Sequence, residues 1–251
     1  MAADGQRHIL AIGGFGGRPP AQRLPALIRY ALDLSGAVRP RVCVLNTAAG
    51  DEPTAFVRMY AALSQHGAIP SHLQLFAMPN VPDPAELLLA QDVIFVGGGS
   101  VANMIAVWAV HGLADILHQA WDAGVVLAGV SAGAICWFEG GTTDSFGPDL
   151  RPFTAGLGFL PGSYCPHYSS EPARRPRYQS LVADRILAPG IACDDGAAAH
   201  FTGTELAGIV AEHPGAAGYL VRPDGRDGVT EQALTASVTL SPEADQDQPE
   251  G

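Results

Sequence analysis

The sequence predicts an α/β protein of three layers, with a mostly parallel β-sheet held between helices and a small antiparallel region toward the C-terminus. Three observations predict it. Short apolar runs alternate with longer helical patterns through the first 130 residues. Those runs read as unbroken hydrophobic segments, as strands do when both faces are covered. Beyond Asp144 the spacing of apolar runs shortens and turn residues multiply, which favours antiparallel pairing.

Element by element, strands are expected at 8–14 (HILAIGG), 41–47 (RVCVLNT), 73–78 (LQLFAM), 92–99 (DVIFVGGG) and 124–130 (GVVLAGV). Helices are expected at 23–35, 53–66, 83–90 and from Ser100, a suitable N-cap, to about Ala123. A helical stretch opens after Ser131 with AGAICWF, and residues 171–187 also read as helix. IACDDGAAAHF (191–201) carries an Asp-Gly turn signal between apolar runs and reads as a hairpin. Further short strands are expected at 206–211, 217–222 and 236–240. No Pro/Gly/Ser-rich linker divides the chain. One domain over 1–240 is therefore expected, followed by an acidic, frayed tail at 241–251.

Composition narrows the function classes. Of the 251 residues, 47% are hydrophobic and 16% charged, enough apolar area for a continuous core. The formal net charge of -11 and the lack of any basic run argue against nucleic-acid partners. No secretory signal pattern opens the chain, and no run approaches the roughly 18 apolar residues of a membrane span, so a soluble cytoplasmic protein is expected. The four cysteines, Cys43, Cys136, Cys165 and Cys193, lack CxxC spacing and read as reduced, buried thiols. No cofactor and no metal are expected.

The chemistry concentrates around Ser131. Gly129-Val130-Ser131-Ala132-Gly133 fits G-x-S-x-G directly after an apolar strand and at the start of a helix. There a serine hydroxyl is displayed at the carboxyl end of a sheet, and the helix N-terminus favours developing negative charge. A serine nucleophile needs a base. Of the eight histidines, His167 stands in the Pro/Gly/Ser-rich segment GLGFLPGSYCPHYSSEP, where a scaffold displays functional groups. For the carboxylate that orients the imidazole, Asp144 is preferred over Glu139, with Asp149 a third choice. A helix running on from Ser131 would carry Glu139 about 12 Å away, whereas the Gly140-Gly141 break lets the chain return at Asp144. Oxyanion donors are expected at Ala132 and in the Gly97-Gly98-Gly99 run, specifically Gly98 and Gly99. An ordinary helix-capping serine and a plain glycine turn are the alternative readings of these two segments.

Together, LNTAAGD, FVGGGS, GVSAGA, TTD, and PGSYCPHY followed by EPARRPRY resemble the serine peptidase family of peptidase E (α-aspartyl dipeptidase) and cyanophycinase, over roughly residues 8–222. The resemblance implies a class I glutamine-amidotransferase-like, flavodoxin-related fold. It implies Ser131 as nucleophile and His167 as base, and the TTD ending in Asp144 resembles the family's acid-bearing segment. Other family members use glutamate, which keeps Glu139 open. The resemblance further implies an arginine that reads an N-terminal aspartyl side chain. Arg174 and Arg177 fall in the matching place, and Arg175 is an alternative. The expected function is thus a cofactor-independent serine exopeptidase acting on short peptides, a dipeptidase preferring N-terminal Asp, working as monomer or homodimer. An α/β esterase and a non-catalytic amidotransferase-like binding protein are the rivals.

Overall fold

The structure, a computed structural model, describes residues 5–17 and 23–240. The tail expected at 241–251 lies outside the described residues. In chain order the elements are β1 (His8–Ile12), α1 (Ala26–Leu34), β2 (Arg41–Leu45), α2 (Pro53–Gln65), β3 (Ile69–Leu73), α3 (Pro84–Leu89), β4 (Val93–Val96), α4 (Val101–Val110), α5 (Leu113–Asp122), β5 (Val126–Val130) and α6 (Ala132–Ile135). The second half adds β6 (Phe138–Thr143), β7 (Arg151–Phe153), β8 (Leu160–Cys165), α7 (Arg174–Ala183), β9 (Gly190–Cys193), β10 (Ala197–Thr202), β11 (Glu205–Ala211), β12 (Gly218–Pro223), β13 (Val229–Leu234) and β14 (Ala236–Thr239).

The architecture is α/β with two mixed sheets. An eight-stranded sheet has the order β14-β11-β10-β1-β5-β4-β2-β3, and its β1-β5-β4-β2-β3 portion is parallel throughout. Alternation along those strands explains the layers, because successive side chains face opposite ways. Leu10, Val42, Val44, Phe95 and Val126 pack with Leu27, Ile28 and Leu63 of α1 and α2. Ile9, Cys43, Leu45, Ile94 and Leu127 pack on the other face with Trp108 and Trp121 of α4 and α5. That second face also receives Phe138, Leu160 and Tyr164 from a six-stranded sheet, β13-β12-β9-β8-β6-β7.

The second sheet corrects several expectations. The helix expected after Ser131 lasts only from Ala132 to Ile135, and the chain turns into β6 at Phe138. Residues 191–201 do not form a hairpin, since β9 joins the six-stranded sheet while β10 joins the eight-stranded one. The strand expected at 73–78 sits earlier, at Ile69–Leu73, because Ile69 to Leu73 are the residues in register with β2. The helix expected from Ser100 to about Ala123 is two, broken at Gly112, which has φ +65°. All four cysteines are free and buried.

Glycines let α6 sit tightly behind the first sheet. A β-carbon on Gly129 would stand 2.0 Å from the Gly133 carbonyl oxygen, and one on Gly133 would stand 2.3 Å from that of Val96. Backbone thus touches backbone on both sides of Ser131. Gly133→Ala is expected to lower the unfolding free energy by about 1–3 kcal/mol, as overpacked cores do, read from the urea midpoint. An unshifted midpoint would mean that α6 moves freely.

Candidate active site

Carboxyl ends of parallel strands gather at one edge of each sheet. In the first sheet, β1, β5 and β4 end at Ile12, Val130 and Val96, delivering Gly13-Gly14, Ser131 and Gly97-Gly98-Gly99. In the second, β6, β8 and β9 are parallel neighbours, with Gly141 opposite Tyr164 and Cys165 opposite Ala192. Their ends therefore deliver Asp144, His167 and Asp194-Asp195 side by side. A parallel bridge between Gly14 and Asp195 joins the two edges.

Ser131 has φ 55° and ψ -114°, a conformation that a residue with a side chain rarely adopts and that costs of order 1–3 kcal/mol. Although it stands at the N-cap of α6, its side chain makes no capping hydrogen bond. Ser100 behaves otherwise: its Oγ accepts from Asn103 N–H at 3.2 Å, as an ordinary N-cap does. The plain-cap reading of Ser131 thus fails on geometry. Its backbone N–H donates to Ile12 O at 3.1 Å, fixing the serine beside the end of β1.

His167 also has positive φ, 53°. The turn that carries it is tied by Tyr168 N–H to Cys193 O at 3.1 Å and Glu171 N–H to His167 O at 3.2 Å. Its Nδ1 lies 2.6 Å from Asp195 Oδ1. With Nδ1 occupied by that carboxylate, Nε2 is the ring nitrogen left to act as a base. Gly14 makes the approach possible. A β-carbon there would lie 1.8 Å from Asp195 Oδ1 and 2.7 Å from His167 Nδ1.

The carboxylate that meets the His167 ring is Asp195, and neither Asp144 nor Glu139 takes that place. Asp144 lies at the end of β6, one strand from His167 on the opposite side from β9, and its side chain is more than half exposed, 3.9 Å from Arg174 Nη2. Glu139 stands in a strand rather than on a long helix, and its Oε2 accepts from Gly162 N–H at 3.1 Å. Asp149 lies in the segment between β6 and β7. Asp195 was legible only as half of an Asp-Gly turn signal. The clue was that two acids directly follow the apolar run IAC at a strand's carboxyl end.

The glycine run lies beside Ser131. A β-carbon on Gly98 would contact Ser131 Cβ at 3.4 Å. Gly97 N–H donates to Leu45 O and Ser100 N–H to Ala48 O, so both ends of the turn are tied while Gly98 and Gly99 lie outside the ladder between them. Gly99, at φ +138°, would set a β-carbon 2.3 Å from Ala48 O. Ala132, the first residue of α6, has a backbone N–H with no intrahelical acceptor.

Each of the three arginines is engaged by groups of the protein itself. Arg174 is buried, donating through Nε to Glu171 at 2.6 Å and through Nη1 to Thr142 O at 3.2 Å. Arg177 is exposed and donates to Leu150 O at 3.1 Å. Both hold the chain around residues 142–150. Arg175 pairs with Glu231. Arg174→Ala is expected to cost about 1.5–3 kcal/mol of stability, the value of hydrogen bonds to a charged group, whereas Arg177→Ala should stay within about 0.5 kcal/mol. Thermal unfolding of the two variants checks this order.

Comparison with known proteins identifies the family and the fold. The sequence profile of peptidase family S51 matches residues 9–209. An uncharacterized peptidase, YgaJ of Bacillus subtilis, is 45% identical over 215 residues, covering 86% of this chain and 92% of the relative. Peptidase E of Shewanella denitrificans is 27% identical over 155 residues, 59% of this chain and 66% of the relative. Among solved structures, a peptidase from an acI-B1 actinobacterium superposes with a TM-score of 0.68 at 17% identity, covering 92% of this chain and 95% of that one. A peptidase E protein from Listeria monocytogenes, described as putative, superposes at 0.58 with 15% identity, covering 92% and 100%. These likenesses show the fold, that of peptidase E and the class I glutamine-amidotransferase-like proteins.

Proposed function

The chain belongs to peptidase family S51, the serine peptidases of the peptidase E type, and on that premise we propose that it cleaves short peptides through an acyl-enzyme formed on Ser131. The observation that carries the residue assignment is the 2.6 Å contact between His167 Nδ1 and Asp195, at the strand ends that also deliver the strained Ser131. His167 Nε2 takes the Ser131 proton as Oγ attacks the scissile carbonyl, and then gives it to the departing amine. Water, deprotonated by the same nitrogen, attacks the ester and frees Ser131. Asp195 holds the ring in the tautomer that leaves Nε2 basic and stabilises the imidazolium. The N–H groups of Gly98 or Gly99 and of Ala132 receive the oxyanion.

Substrate choice is proposed more broadly than an N-terminal aspartate. Arg174, the arginine first expected to read such a side chain, is engaged by Glu171 and Thr142. Its guanidinium would have to break two hydrogen bonds before meeting a substrate carboxylate. Profiling X-Leu dipeptides with X as Asp, Glu, Asn, Ala or Arg tests this directly. Comparable kcat/KM across the neutral and acidic residues is expected, and turnover confined to Asp-Leu would contradict it.

The assignment of groups is tested by fluorophosphonate labelling and dipeptide turnover. Wild-type protein is expected to take one adduct, on Ser131, and Ser131→Ala none. Asp195→Asn should lose about 10,000-fold in kcat, the scale of a triad carboxylate, while Asp144→Asn should stay within a few-fold of wild type. An Asp144→Asn enzyme crippled as deeply as Asp195→Asn would refute the assignment.

A further inference from the structure

The family profile stops at residue 209, yet the hairpin that follows it reaches both sides of the His167–Asp195 pair. β12 pairs antiparallel with β9, with Gly218 opposite Cys193, and β13 pairs with β12. From β12, Tyr219 Oη donates to Asp194 Oδ2 at 3.1 Å, and the N–H of Ala217, just before the strand, donates to the same oxygen at 3.2 Å. Asp194 immediately precedes Asp195. From β13, Glu231 accepts the Tyr168 hydroxyl at 2.5 Å, and Tyr168 immediately follows His167.

One cluster unites these contacts. Arg175 grips Glu231 through Nε, at 3.1 Å, and through Nη2, while Gln179 Nε2 donates to Glu231 at 2.8 Å. The Arg175 guanidinium lies 5.3 Å from the centre of the Tyr168 ring and 5.1 Å from that of Tyr219. The two tyrosine rings are themselves 5.0 Å apart, within the range of cation–π and aromatic attraction. Burial, and then the hydrogen bond to Glu231 and its charge, push the Tyr168 hydroxyl far above its ordinary value, so it stays a donor. Burial would raise the Glu231 carboxyl, but hydrogen bonds from Arg175, Tyr168 and Gln179 outweigh it and hold the group ionised. Donor and acceptor are thus matched across neutral pH.

We infer that Glu231 and Tyr219 of this C-terminal hairpin are positioning residues for the peptidase centre. They hold Tyr168 and Asp194, and through the adjoining peptide units they set the distance and tilt of His167 against Asp195. The inference rests on the function proposed above. His167 needs such support because its backbone sits at φ 53° and its partner arrives from a different strand. A pair joined across two loops is held only as well as the loops are.

The test uses the full chain with Glu231→Ala, Glu231→Gln and Tyr219→Phe, the last two removing little more than one hydrogen-bonding group each. Two readouts are followed in proteins shown folded by thermal unfolding: the rate of fluorophosphonate labelling, and the downfield proton resonance of the His167–Asp195 hydrogen bond, assigned by its loss in Asp195→Asn. Glu231→Ala is expected to slow labelling about 10- to 100-fold, the scale of a small misplacement of catalytic groups, and to broaden or shift the downfield proton. Glu231→Gln, which still accepts from Tyr168, should recover most of the rate, and Tyr219→Phe should fall between. In an Asp195→Asn background, Glu231→Ala should add less than about twofold, because the contact it maintains is already gone. Unchanged labelling and an unchanged resonance in Glu231→Ala and Tyr219→Phe would overturn the inference, as would an equal loss with and without Asp195. If Glu231→Ala does not fold, Tyr219→Phe carries the same comparison, with and without Asp195→Asn. If wild-type protein is not labelled at all, the peptidase reading falls, and the downfield resonance still decides whether the hairpin positions the pair.

Discussion

The hydrogen bond between His167 and Asp195 is the constraint around which the two sheets are arranged. Each partner comes from the end of its own strand in the six-stranded sheet, and the pair closes over Gly14 at the end of a strand in the other sheet. No residue larger than glycine fits at that crossing. The same edge of the first sheet carries Ser131, held in a strained conformation by the close backbone contacts of Gly129 and Gly133. Strain at the serine and at the histidine is thus borne by packing elsewhere: the twin apolar faces of the parallel sheet and the aromatic layer of Trp137, Phe138 and Tyr164 behind α6.

Much of this was readable in the chain. The strands of the first sheet are unbroken apolar runs, and Ser131 stands in a pattern whose small residues have a visible steric purpose. His167 is recognisable from its loop. Asp195 was hidden because an Asp-Gly step between apolar runs is also how a hairpin turn is written, and only the assignment of β9 and β10 to different sheets removes that reading. Asp144 was attractive for a real reason, since β6 does end beside β8. Sequence shows that a carboxylate reaches the edge, but the neighbour on which side holds the histidine is fixed by strand order, a long-range property. The surroundings of the arginines were hidden in a similar way. Helical spacing places Arg174 on a face, but only the packing of α7 shows that this face is the buried one.

The second sheet also changes how the C-terminal third of the chain is understood. A region that reads as an antiparallel appendage supplies the strand bearing the carboxylate, and then a hairpin whose Tyr219 and Glu231 grip the residues next to the pair. Charge is balanced locally there: Glu231 is met by Arg175 and Arg174 by Glu171. The acidic net charge of the chain therefore says little about the electrostatics at the centre, where the groups that matter are the Asp195 carboxylate, the imidazole and the backbone N–H groups around Ser131.

The structure of the protein after reaction with a small fluorophosphonate tests the roles of Ser131, His167 and Asp195 together. Phosphorus is expected on Ser131 Oγ, with one phosphoryl oxygen about 2.7–3.1 Å from the N–H groups of Ala132 and of Gly98 or Gly99. His167 should lie between the adduct and Asp195, keeping its Nδ1 contact. An adduct on another residue, or one on Ser131 with the imidazole turned to Asp144 or to no carboxylate, would contradict it.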